Sequence, residues 1–305
     1  TKIAIEKQIS LINTVSSERI RDEFFKILSI DKSYKYLYSF QKNSLLETLF
    51  PQLKVMSDKR PYYYHEGGLW EHSIETVKSL EELFLNLKEY FPRVSKKIKD
   101  YLDEDISHNI SRKAFLKWAG FLHDTGKPKT AKVIDGKMRF FGHQNMGVKI
   151  AEEISKQLKL SNKATKFITT TIYEHMRPGT LTEVGFVTKR ALYRFYRDLK
   201  EEGVATLIVS LADRLSYKNV RYKELKIEKH KAVVKKMANY YFLKKSSIEF
   251  KPLLNGFEIM KTFNIPSSPL VGRLLDILKE AQSTGAVKTK EQAICFLKKK
   301  IRNKN

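Results

Sequence analysis

The feature that most constrains this fold is a nearly all-apolar helical segment that runs directly into a histidine and an aspartate. Residues 114–122 contain one charged residue, Lys117, so this helix is predicted to lie inside the fold rather than on its surface. The pair His123-Asp124 follows at once, and Gly126–Pro128 is predicted to end the helix. An unpaired buried carboxylate costs at least several kcal/mol. Asp124 is therefore expected either to pair with a cation or to bind a metal ion, at a helix end that opens toward a cavity.

Further histidines share a helical face with apolar residues. His143 is followed by isoleucines at offsets of 7 and 11, and His175 is preceded by isoleucines at offsets of 3 and 7, so both rings are predicted to point inward. Asp213 follows Val209 by one turn in an apolar run. A single inward histidine is more often a satisfied core residue than a ligand, but six such groups on apolar helices favour a metal site. The predicted ligands are His72, His123, Asp124, His143, His175 and Asp213.

The predicted donor set contains imidazoles and carboxylates but no thiolate. These donors suit one or two divalent ions, which could be Mn, Fe, Co, Ni, Zn or Mg, and softness alone does not choose among them. Two ions that share a carboxylate would activate a bridging water and neutralise a phosphoryl group. Lys127 and Arg177 each lie a few residues from a predicted ligand and could contact a substrate phosphate. An ordinary role as helix-terminal cations is an equally good interpretation of both.

An excess of positive charge is spread along the whole chain. The 305 residues include 58 lysines and arginines against 34 aspartates and glutamates, a formal net charge of +24. This charge favours a polyanion such as RNA as the partner, and the alternative is a solvated, lysine-rich surface. Cys295 is the only cysteine, which excludes an intrachain disulfide and favours a cytoplasmic location. No apolar run approaches the length of a membrane span, so no membrane association is expected.

Helical periodicity dominates the sequence, and the predicted fold class is all-α. One clear β signal, Asp135-Gly136 between two β-prone runs in residues 132–141, predicts a hairpin. Three short helices are predicted in residues 252–305, with start signals at Asn255, Ser268 and Thr289. Two further helices are predicted to begin after Ser16 and after Ser161. Three more are predicted from about Leu69 to Phe91, from about His143 to Leu160, and from Arg190 through Arg214.

A long basic helix is predicted after Ser216. Between Lys218 and Lys236, eight lysines and arginines face only two acidic residues, Glu224 and Glu228. Cations at that density cannot all form intramolecular pairs and would attract a phosphate backbone. The predicted RNA contacts are Lys218, Arg221, Lys229, Lys235 and Lys236, together with Arg273 in the C-terminal helices.

The order of the predicted ligands resembles the HD superfamily of metal-dependent phosphohydrolases, and the two additional histidines resemble the version that can hold two metals. The residues that carry this likeness are His72, His123-Asp124, His143, His175 and Asp213. The resemblance implies an HD-domain helical bundle with a small β-hairpin insertion and flanking helical segments. It also implies that Asp124 reaches both ions and that Asp124 and Lys127 are catalytic.

The segments around these ligands closely resemble the HD region of bacterial CCA-adding tRNA nucleotidyltransferases and poly(A) polymerases. They are LWEHS (69–73), FLHDTGKP (121–128), FGH (141–143) and EHMRPG (174–179). Residues 17–23 are similar to the segment after that family's catalytic head, and parts of 252–282 are similar to its RNA-binding tail. The resemblance implies structured RNA, such as tRNA, as a partner. It implies three domains: a neck-like helical segment (1–55), an HD metal-binding domain (56–216), and a basic helix with an RNA-binding module (217–305).

The sequence departs from that family where nucleotide addition is concerned. The family's polymerase head carries a Gly-Ser motif and an Asp-x-Asp pair on neighbouring strands, whereas this chain contains no Gly-Ser dipeptide. Its one Asp-x-Asp, at residues 103–105, lies in a charged stretch predicted to be a strandless, solvated loop. The chain is therefore not expected to add nucleotides by itself. If the chain is the body and tail of a nucleotidyltransferase, its head would be a separate chain or would have been cut away at Thr1.

Two functions of different classes are consistent with these patterns. The leading hypothesis is a metal-dependent phosphodiesterase or phosphatase that acts on RNA ends or nucleotides. The competing hypothesis is a binding module, the RNA-binding or tRNA-binding body and tail of a nucleotidyltransferase. The inward ligand set favours hydrolysis and the charge favours RNA, and the two functions are compatible. Hydrolysis of a nucleotide or second messenger unrelated to RNA is a third possibility that no residue excludes.

Overall fold

The structure is a computed structural model. Within the residues that it describes, the chain is mostly helical, and the strands form two short antiparallel pairs. The predicted all-α class with a small hairpin is therefore confirmed. The predicted RNA contacts Lys218 and Arg221 lie outside the described residues. The described ranges are 8–58, 68–185, 187–217, 224–244 and 248–302.

Two compact units make up the chain. The first consists of Thr1–Gly185 and Glu202–Ala238, and the second consists of Phe186–Glu201 and Asn239–Asn305. None of the described helices combines the length and the apolar character that a bilayer crossing requires.

Short helices open the first unit. Helix α1 (Ser17–Ser29) begins where predicted, because the Ser16 hydroxyl accepts a hydrogen bond from the N–H of Arg19 at 3.4 Å. This cap satisfies one of the N–H groups that a helix start leaves unpaired. The buried face of α1 includes Phe24, whose ring lies 4.9 Å from the Trp118 ring between centroids. Helices α2 (Ser33–Lys42) and α3 (Leu45–Leu49) follow, and 3-10 helices span Ile9–Thr14 and Pro51–Ser57.

The single helix predicted to reach Phe91 is interrupted. Helix α4 (Gly68–Leu85) stops before Asn86, whose backbone and side-chain N–H groups both donate to the carbonyl of Glu82, at 3.1 and 2.8 Å. An asparagine side chain that bonds the backbone in this way competes with helix continuation. Helices α5 (Leu87–Tyr90) and α6 (Ser95–Asp103) follow.

A strand pair that the sequence did not predict comes after α6. Strands β1 (Asp105–Ser107) and β2 (Ile110–Ser111) are antiparallel, and His108 and Asn109 between them have positive φ angles of 57° and 56°. Two consecutive residues in this conformation form the tight turn whose twist matches a hairpin. The prediction that residues 103–105 lie in a strandless, solvated loop is therefore wrong at two of the three residues. Asp103 ends α6, and Asp105 pairs with Ser111 in the sheet.

The apolar segment around which the fold was predicted to form is a buried helix. Helix α7 (Arg112–Leu122) buries every residue from Ala114 onward, including Lys117. It packs closely on α4, since a Cβ at Gly120 would lie 2.5 Å from Cδ1 of Leu80. Only glycine allows this approach without a shift of the leucine side chain.

Helix α7 ends at Leu122, and a tight turn containing the His-Asp pair follows. The prediction that Pro128 stops α7 is wrong, because α7 has already ended at Leu122. Pro128 lies in the first turn of helix α8 (Lys127–Thr130). Proline suits this position because the first N–H groups of a helix have no intrahelical partner. Gly126 is required in the turn, since a Cβ there would lie 2.0 Å from the carbonyl oxygen of His143.

The predicted hairpin at Asp135-Gly136 is present. Strands β3 (Lys132–Ile134) and β4 (Lys137–Arg139) are antiparallel, and Asp135 and Gly136 have φ angles of 50° and 68°. These are the positive φ angles that a two-residue hairpin turn requires. Helices α9 (His143–Gln157), α10 (Asn162–Glu174) and α11 (Arg177–Glu183) follow.

The helix predicted from Arg190 through Arg214 is two helices. Helix α12 (Lys189–Leu199) belongs to the second unit, and helix α13 (Glu202–Ser216) belongs to the first. Between them, Lys200 has a φ of 49° and a ψ of −128°, a conformation that cannot continue a helix. The sequence carries no glycine or proline at the break that would have predicted it.

The C-terminal helices match the prediction. Helix α14 (Glu224–Leu243) contains the described part of the basic helix. Asn255 and Glu258 form a reciprocal capping box, Pro269 lies in the first turn of the next helix, and the Thr289 hydroxyl caps the last one at 3.3 Å. The three predicted helices are α15 (Gly256–Phe263), α16 (Pro269–Thr284) and α17 (Lys290–Arg302). They share an apolar core that includes Ile259, Leu278 and Leu297.

Candidate metal centre

Helices of the first unit bring the six predicted ligands into one cluster. His72 lies in α4, and the pair His123-Asp124 directly follows α7. His143 opens α9, His175 directly follows α10, and Asp213 lies in α13. All six side chains are buried. Both histidines that share a stripe with isoleucines therefore point inward, as their spacing predicts.

Asp124 lies between two groups of imidazoles. Its Oδ2 is 3.1 Å from Nε2 of His72 and 3.4 Å from Nε2 of His123. Its Oδ1 is 3.6 Å from Nε2 of His143 and 3.7 Å from Nε2 of His175. Each oxygen of one carboxylate thus faces a separate pair of imidazoles.

Asp213 completes the first group. Its Oδ1 is 3.3 Å from Nε2 of His72 and 3.6 Å from Nε2 of His123. The first group therefore offers two imidazoles and two carboxylates, and the second offers two imidazoles and the shared carboxylate. Within each group, one ligand atom from every residue lies within 4.8 Å of the others. Three protein ligands leave a position open for water or substrate at a four-coordinate ion, and four leave positions open at an ion of higher coordination number.

The other ring nitrogen of each histidine is held by the protein. In three rings, Nδ1 faces the carbonyl oxygen of the residue three positions earlier. These contacts are His123 to Gly120 at 2.7 Å, His143 to Phe140 at 2.8 Å and His175 to Ile172 at 2.6 Å. A carbonyl only accepts hydrogen bonds, so Nδ1 of each ring carries a proton. Whenever such a ring is neutral, it presents the lone pair of Nε2 to the cluster.

Ser216 orients the fourth ring in the same sense. Its Oγ donates to the carbonyl of Asp213 at 2.7 Å, which leaves its lone pairs available to Nδ1 of His72 at 3.4 Å. The Tyr217 ring stacks on His72, with 5.4 Å between centroids. Nε2 of His72 is thereby also directed at the carboxylates.

The cluster fits a divalent cation. Oδ1 of Asp124, Nε2 of His143 and Oδ1 of Asp213 are buried and lack a hydrogen-bond partner within the described part of the chain. Leaving a buried polar atom without a partner costs roughly 1–3 kcal/mol. A cation among these atoms would satisfy them together, and imidazole and carboxylate donors suit a divalent metal ion. The residues present could therefore hold such an ion.

Electrostatics keep both carboxylates ionised. Burial by itself raises the pKa of Asp124, but the charges of His123 and Lys127 hold that pKa well below its usual range. The pKa of Asp213 is likewise held low, against burial, by His123 and His72. Burial lowers the pKa of His123, but the two carboxylates outweigh this effect and raise the pKa to about 10. A proton on His123 and a metal ion are thus alternative partners for the same pair of carboxylates.

A cavity of about 620 Å³ opens onto the cluster. Besides cluster residues and Lys127, its wall contains three cations that the sequence did not assign to the site, Arg139, Arg214 and Lys226. The sequence offered a signal for two of them, since Arg214 adjoins a predicted ligand and Arg139 lies four residues before another. The remaining lining residues are Met138, Phe140, Phe141, Met176, Tyr217 and Ile227.

The two cations predicted to contact substrate phosphate are placed differently. Nζ of Lys127 contacts Oδ2 of Asp124 and lines the cavity. Arg177 does not line it, and its Nη1 lies 3.5 Å from Oε2 of Glu174. A contact between Arg177 and substrate phosphate stays a prediction.

The described residues predicted to contact RNA do not line this cavity. Lys229 and Lys236 are exposed on α14, Lys235 is half-buried on the same helix, and Arg273 is exposed on α16. Their role in RNA binding stays a prediction. The sequence interpretation did not single out a further set of exposed cations near the end of α17, namely Lys298, Lys299 and Lys300.

Two segments of the chain match known protein families. Residues 69–218, which contain every predicted ligand, match the HD domain. Ahead of the HD domain, residues 1–56 match the family described as the probable RNA and SrmB-binding site of polymerase A.

Curated relatives match the HD domain together with its flanking segments. The CC-adding tRNA nucleotidyltransferase of Thermus thermophilus is 26% identical over 284 residues, which cover 92% of this chain and 56% of that protein. The A-adding tRNA nucleotidyltransferase of Deinococcus radiodurans is 24% identical over 285 residues, which cover 92% of this chain and 58% of that protein. The chain thus spans somewhat more than half the length of these relatives. The predicted resemblance to the body and tail of tRNA nucleotidyltransferases is confirmed.

Proposed function

We propose that this HD domain is a metal-dependent phosphohydrolase that acts on phosphates of RNA ends or of nucleotides. The observation that supports this function most directly is the position of Asp124, whose two oxygens face two pairs of imidazoles at distances from 3.1 to 3.7 Å. Enzymes that displace a phosphoryl oxygen often use two metal ions held close together. One ion would be held by His72, His123 and Asp213, the other by His143 and His175, with Asp124 shared.

The side chains around the cavity would bind and orient the phosphate. A bound divalent ion would supply Lewis-acid activation of water and of the phosphoryl group. Lys127 contacts Asp124 and lines the cavity, so it would fix that carboxylate and stabilise charge on the phosphoryl oxygens. Arg139 and Arg214 line the same cavity and would bind the phosphate oxygens that do not react. Asp124 and Lys127 are accordingly the proposed catalytic residues.

Metal content and hydrolysis test this function together. The purified chain would be loaded separately with Mn, Fe, Co, Ni, Zn or Mg and assayed against phosphomonoesters and phosphodiesters. Asp124→Ala should lose bound metal and hydrolysis together, because the shared carboxylate serves both groups of ligands. Asp105→Ala is the control, since Asp105 is exposed in β1 and outside the cluster. Stoichiometric metal in Asp124→Ala would overturn the assignment.

A second function, RNA binding by the body and tail of a nucleotidyltransferase, is supported by the exposed cations of α14 and α16 and by the names of the two relatives, both of which act on tRNA. Under this function the partners would be tRNA and a nucleotidyltransferase head, carried by a separate chain or by a preceding segment. The chain would divide into a neck-like segment (1–55), an HD domain (56–216) and an RNA-binding module (217–305). It would act in the cytoplasm. Both functions can reside in one chain.

A further inference from the structure

The segment that follows β4 is hydrogen-bonded to the predicted metal ligand His143. The carbonyl of Phe140 faces both Nδ1 of His143, at 2.8 Å, and the backbone N–H of His143, at 3.1 Å. Between them, Gly142 has a φ of 79°, a left-handed conformation that favours glycine. Phe141 is therefore held in a defined turn two residues from His143, and their Cα atoms lie within about 7 Å of each other.

Phe141 combines exposure with a place in the cavity wall. Its relative exposure is 76%, yet it lines the cavity that opens onto the metal centre. Val133, on the same hairpin, is 68% exposed and does not line the cavity. Single exposed apolar residues are common on protein surfaces, so exposure by itself indicates nothing. The position of Phe141 beside the site is what distinguishes it from Val133.

The charge and size of the cavity indicate its ligand. Among the described residues that line it, the carboxylates are those of Asp124 and Asp213, and both belong to the metal cluster. The cations Arg139 and Lys226 join Phe141 in the wall. A volume of about 620 Å³ lies within the range of roughly 300–1,000 Å³ that small-molecule sites occupy, and it exceeds the needs of a phosphate group alone.

We propose that Phe141 is a stacking platform for the base of a nucleotide whose phosphate lies at the metal centre. Arg139 and Lys226 would lie beside its sugar and any further phosphates. Every base has a π-face, so an exposed aromatic ring can bind a nucleotide without selecting its sequence. This inference rests on the proposed function and specifies its substrate class. The nucleotide is either free or the terminal residue of an RNA chain.

Binding measurements with and without a base test the platform. The affinity of the metal-loaded chain would be measured for adenosine monophosphate and for ribose phosphate, which shares the phosphate and sugar but has no base. Phe141→Ala should weaken adenosine monophosphate binding roughly 5- to 100-fold and leave ribose phosphate binding unchanged, because stacking is lost and phosphate contacts remain. Phe141→Trp should retain the affinity. Val133→Ala is the matched control and should match the wild type with both ligands.

Three results would overturn the platform. The first is an unchanged affinity for adenosine monophosphate in Phe141→Ala. The second is an equal loss for both ligands, which would indicate that Phe141 only positions His143. The third is equal binding of both ligands by the wild type. A short RNA with a terminal phosphate, measured in parallel, identifies the source of the nucleotide. If Phe141→Ala weakens binding of this RNA as much as binding of adenosine monophosphate, the ligand is an RNA end. If it weakens binding of adenosine monophosphate but not of the RNA, the ligand is a free nucleotide.

Hydrolysis assays on the same samples separate this inference from the function on which it rests. If the base-dependent binding and its loss in Phe141→Ala are observed but no phosphate ester is hydrolysed with any metal, the nucleotide platform stands and the phosphohydrolase function fails. If both ligands are hydrolysed at equal rates and bind equally, the phosphohydrolase stands and the platform fails.

Discussion

Nζ of Lys117 lies 2.7 Å from Oε1 of Glu81, and both side chains are buried. The same ammonium group donates to the carbonyl of Ile30 at 2.7 Å, and Oε1 of Glu81 accepts from the backbone N–H and the hydroxyl of Ser33. Burial lowers the pKa of Lys117, and the hydrogen bond to Glu81 opposes that effect. The one charge in the apolar part of α7, residues 114–122, is thus matched by a carboxylate from α4.

Removing this ammonium group should destabilise the fold severely. Lys117→Met leaves the Glu81 carboxylate buried without its cation, and breaking a buried ion pair costs about 3–5 kcal/mol. The measurement is the free energy of unfolding in denaturant. Lys113→Met, on the same helix, is the control. Nζ of Lys113 lies 3.6 Å from Oδ1 of Asp31, whose side chain is exposed, and an exposed ion pair contributes about 1 kcal/mol or less to stability. Equal effects of the two substitutions would contradict a structural role for the buried pair.

Most of the ligand set could be predicted from the sequence because these residues share or directly follow a run of apolar residues on a helix. His143 and His175 keep a helical offset from isoleucines, and Asp124 follows a segment too apolar to lie on the surface. Burial is a local property of a helix face, and periodicity reports it directly. The convergence of these faces on one point is not local. That the six ligands meet at one point was implied by the family resemblance alone, and the distances around Asp124 in the structure show it directly.

The cavity wall could not be predicted in the same way. Arg139 and Phe141 come from a hairpin whose existence the Asp-Gly turn predicts but whose direction depends on the hydrogen bonds between Phe140 and His143. The break at Lys200 was missed for a related reason, because a positive φ at lysine leaves no compositional signal. The direction of the hairpin and the break at Lys200 therefore depend on local backbone hydrogen bonds and φ angles, which the hydrophobic pattern does not report.

The number of metal ions should depend on which group of ligands is intact. His175→Ala removes a ligand from the second group only, and Asp213→Ala removes one from the first group only. Each should therefore reduce the metal content from two ions per chain to one, whereas Asp124→Ala should abolish it. Elemental analysis after dialysis measures this. His108→Asn, in the exposed turn between β1 and β2, should keep both ions, and full loss of metal in all three ligand variants would indicate a single site.

The cation that binds substrate phosphate should be one that lines the cavity. Arg214 does, and Arg177 does not. Losing a charge-assisted hydrogen bond worth roughly 1.5–3 kcal/mol should raise KM about 10- to 100-fold in Arg214→Gln, with metal content unchanged. Arg177→Gln is the matched substitution and should have the smaller effect. The opposite ranking in steady-state kinetics would restore the phosphate contact that the sequence predicts for Arg177.

His230 should make the stability of the protein depend on pH. Burial, with a further contribution from Arg214, lowers the pKa of His230 to about 4, while its ring nitrogens face the Thr182 and Ser210 hydroxyls at 2.8 and 3.2 Å. The folded state therefore binds fewer protons than the unfolded state between about pH 4 and pH 6.5, so stability is present above pH 6.5 and is lost as the pH falls through this window.

The test of His230 is a difference between variants. The buried His175 also has a lowered pKa, about 3, so a pH profile of the wild type alone cannot assign the effect. Between pH 7 and pH 5 the wild type should lose about 2 kcal/mol more stability than His230→Gln, measured as the free energy of unfolding. His108→Asn should follow the wild type. Parallel profiles for the wild type and His230→Gln would show that this ring does not stay neutral in the folded state.

RNA binding should depend on salt through Lys229, Lys235 and Lys236 of α14 and Arg273 of α16, of which Lys235 is half-buried and the others are exposed. Each phosphate that a cation neutralises releases counterions, and for duplex nucleic acid the slope of log affinity against log salt changes by about 0.9 per contact. A triple variant, Lys229→Gln with Lys235→Gln and Lys236→Gln, should therefore bind tRNA more weakly and with a slope smaller by roughly 2–3. Arg273→Gln should reduce the slope by about 1.

A second triple variant separates a specific surface from net charge. Lys96, Lys97 and Lys99 are exposed on α6, so replacing them by glutamine removes the same charge from a different helix. Filter binding or fluorescence anisotropy across a salt series, with tRNA and with single-stranded RNA, would compare the two variants. A loss confined to the α14 variant locates the RNA contact there, because the two chains have equal net charge. Equal losses would mean that the net charge of +24 attracts RNA without a defined surface, and a small nucleotide would then be the better substrate for the HD domain.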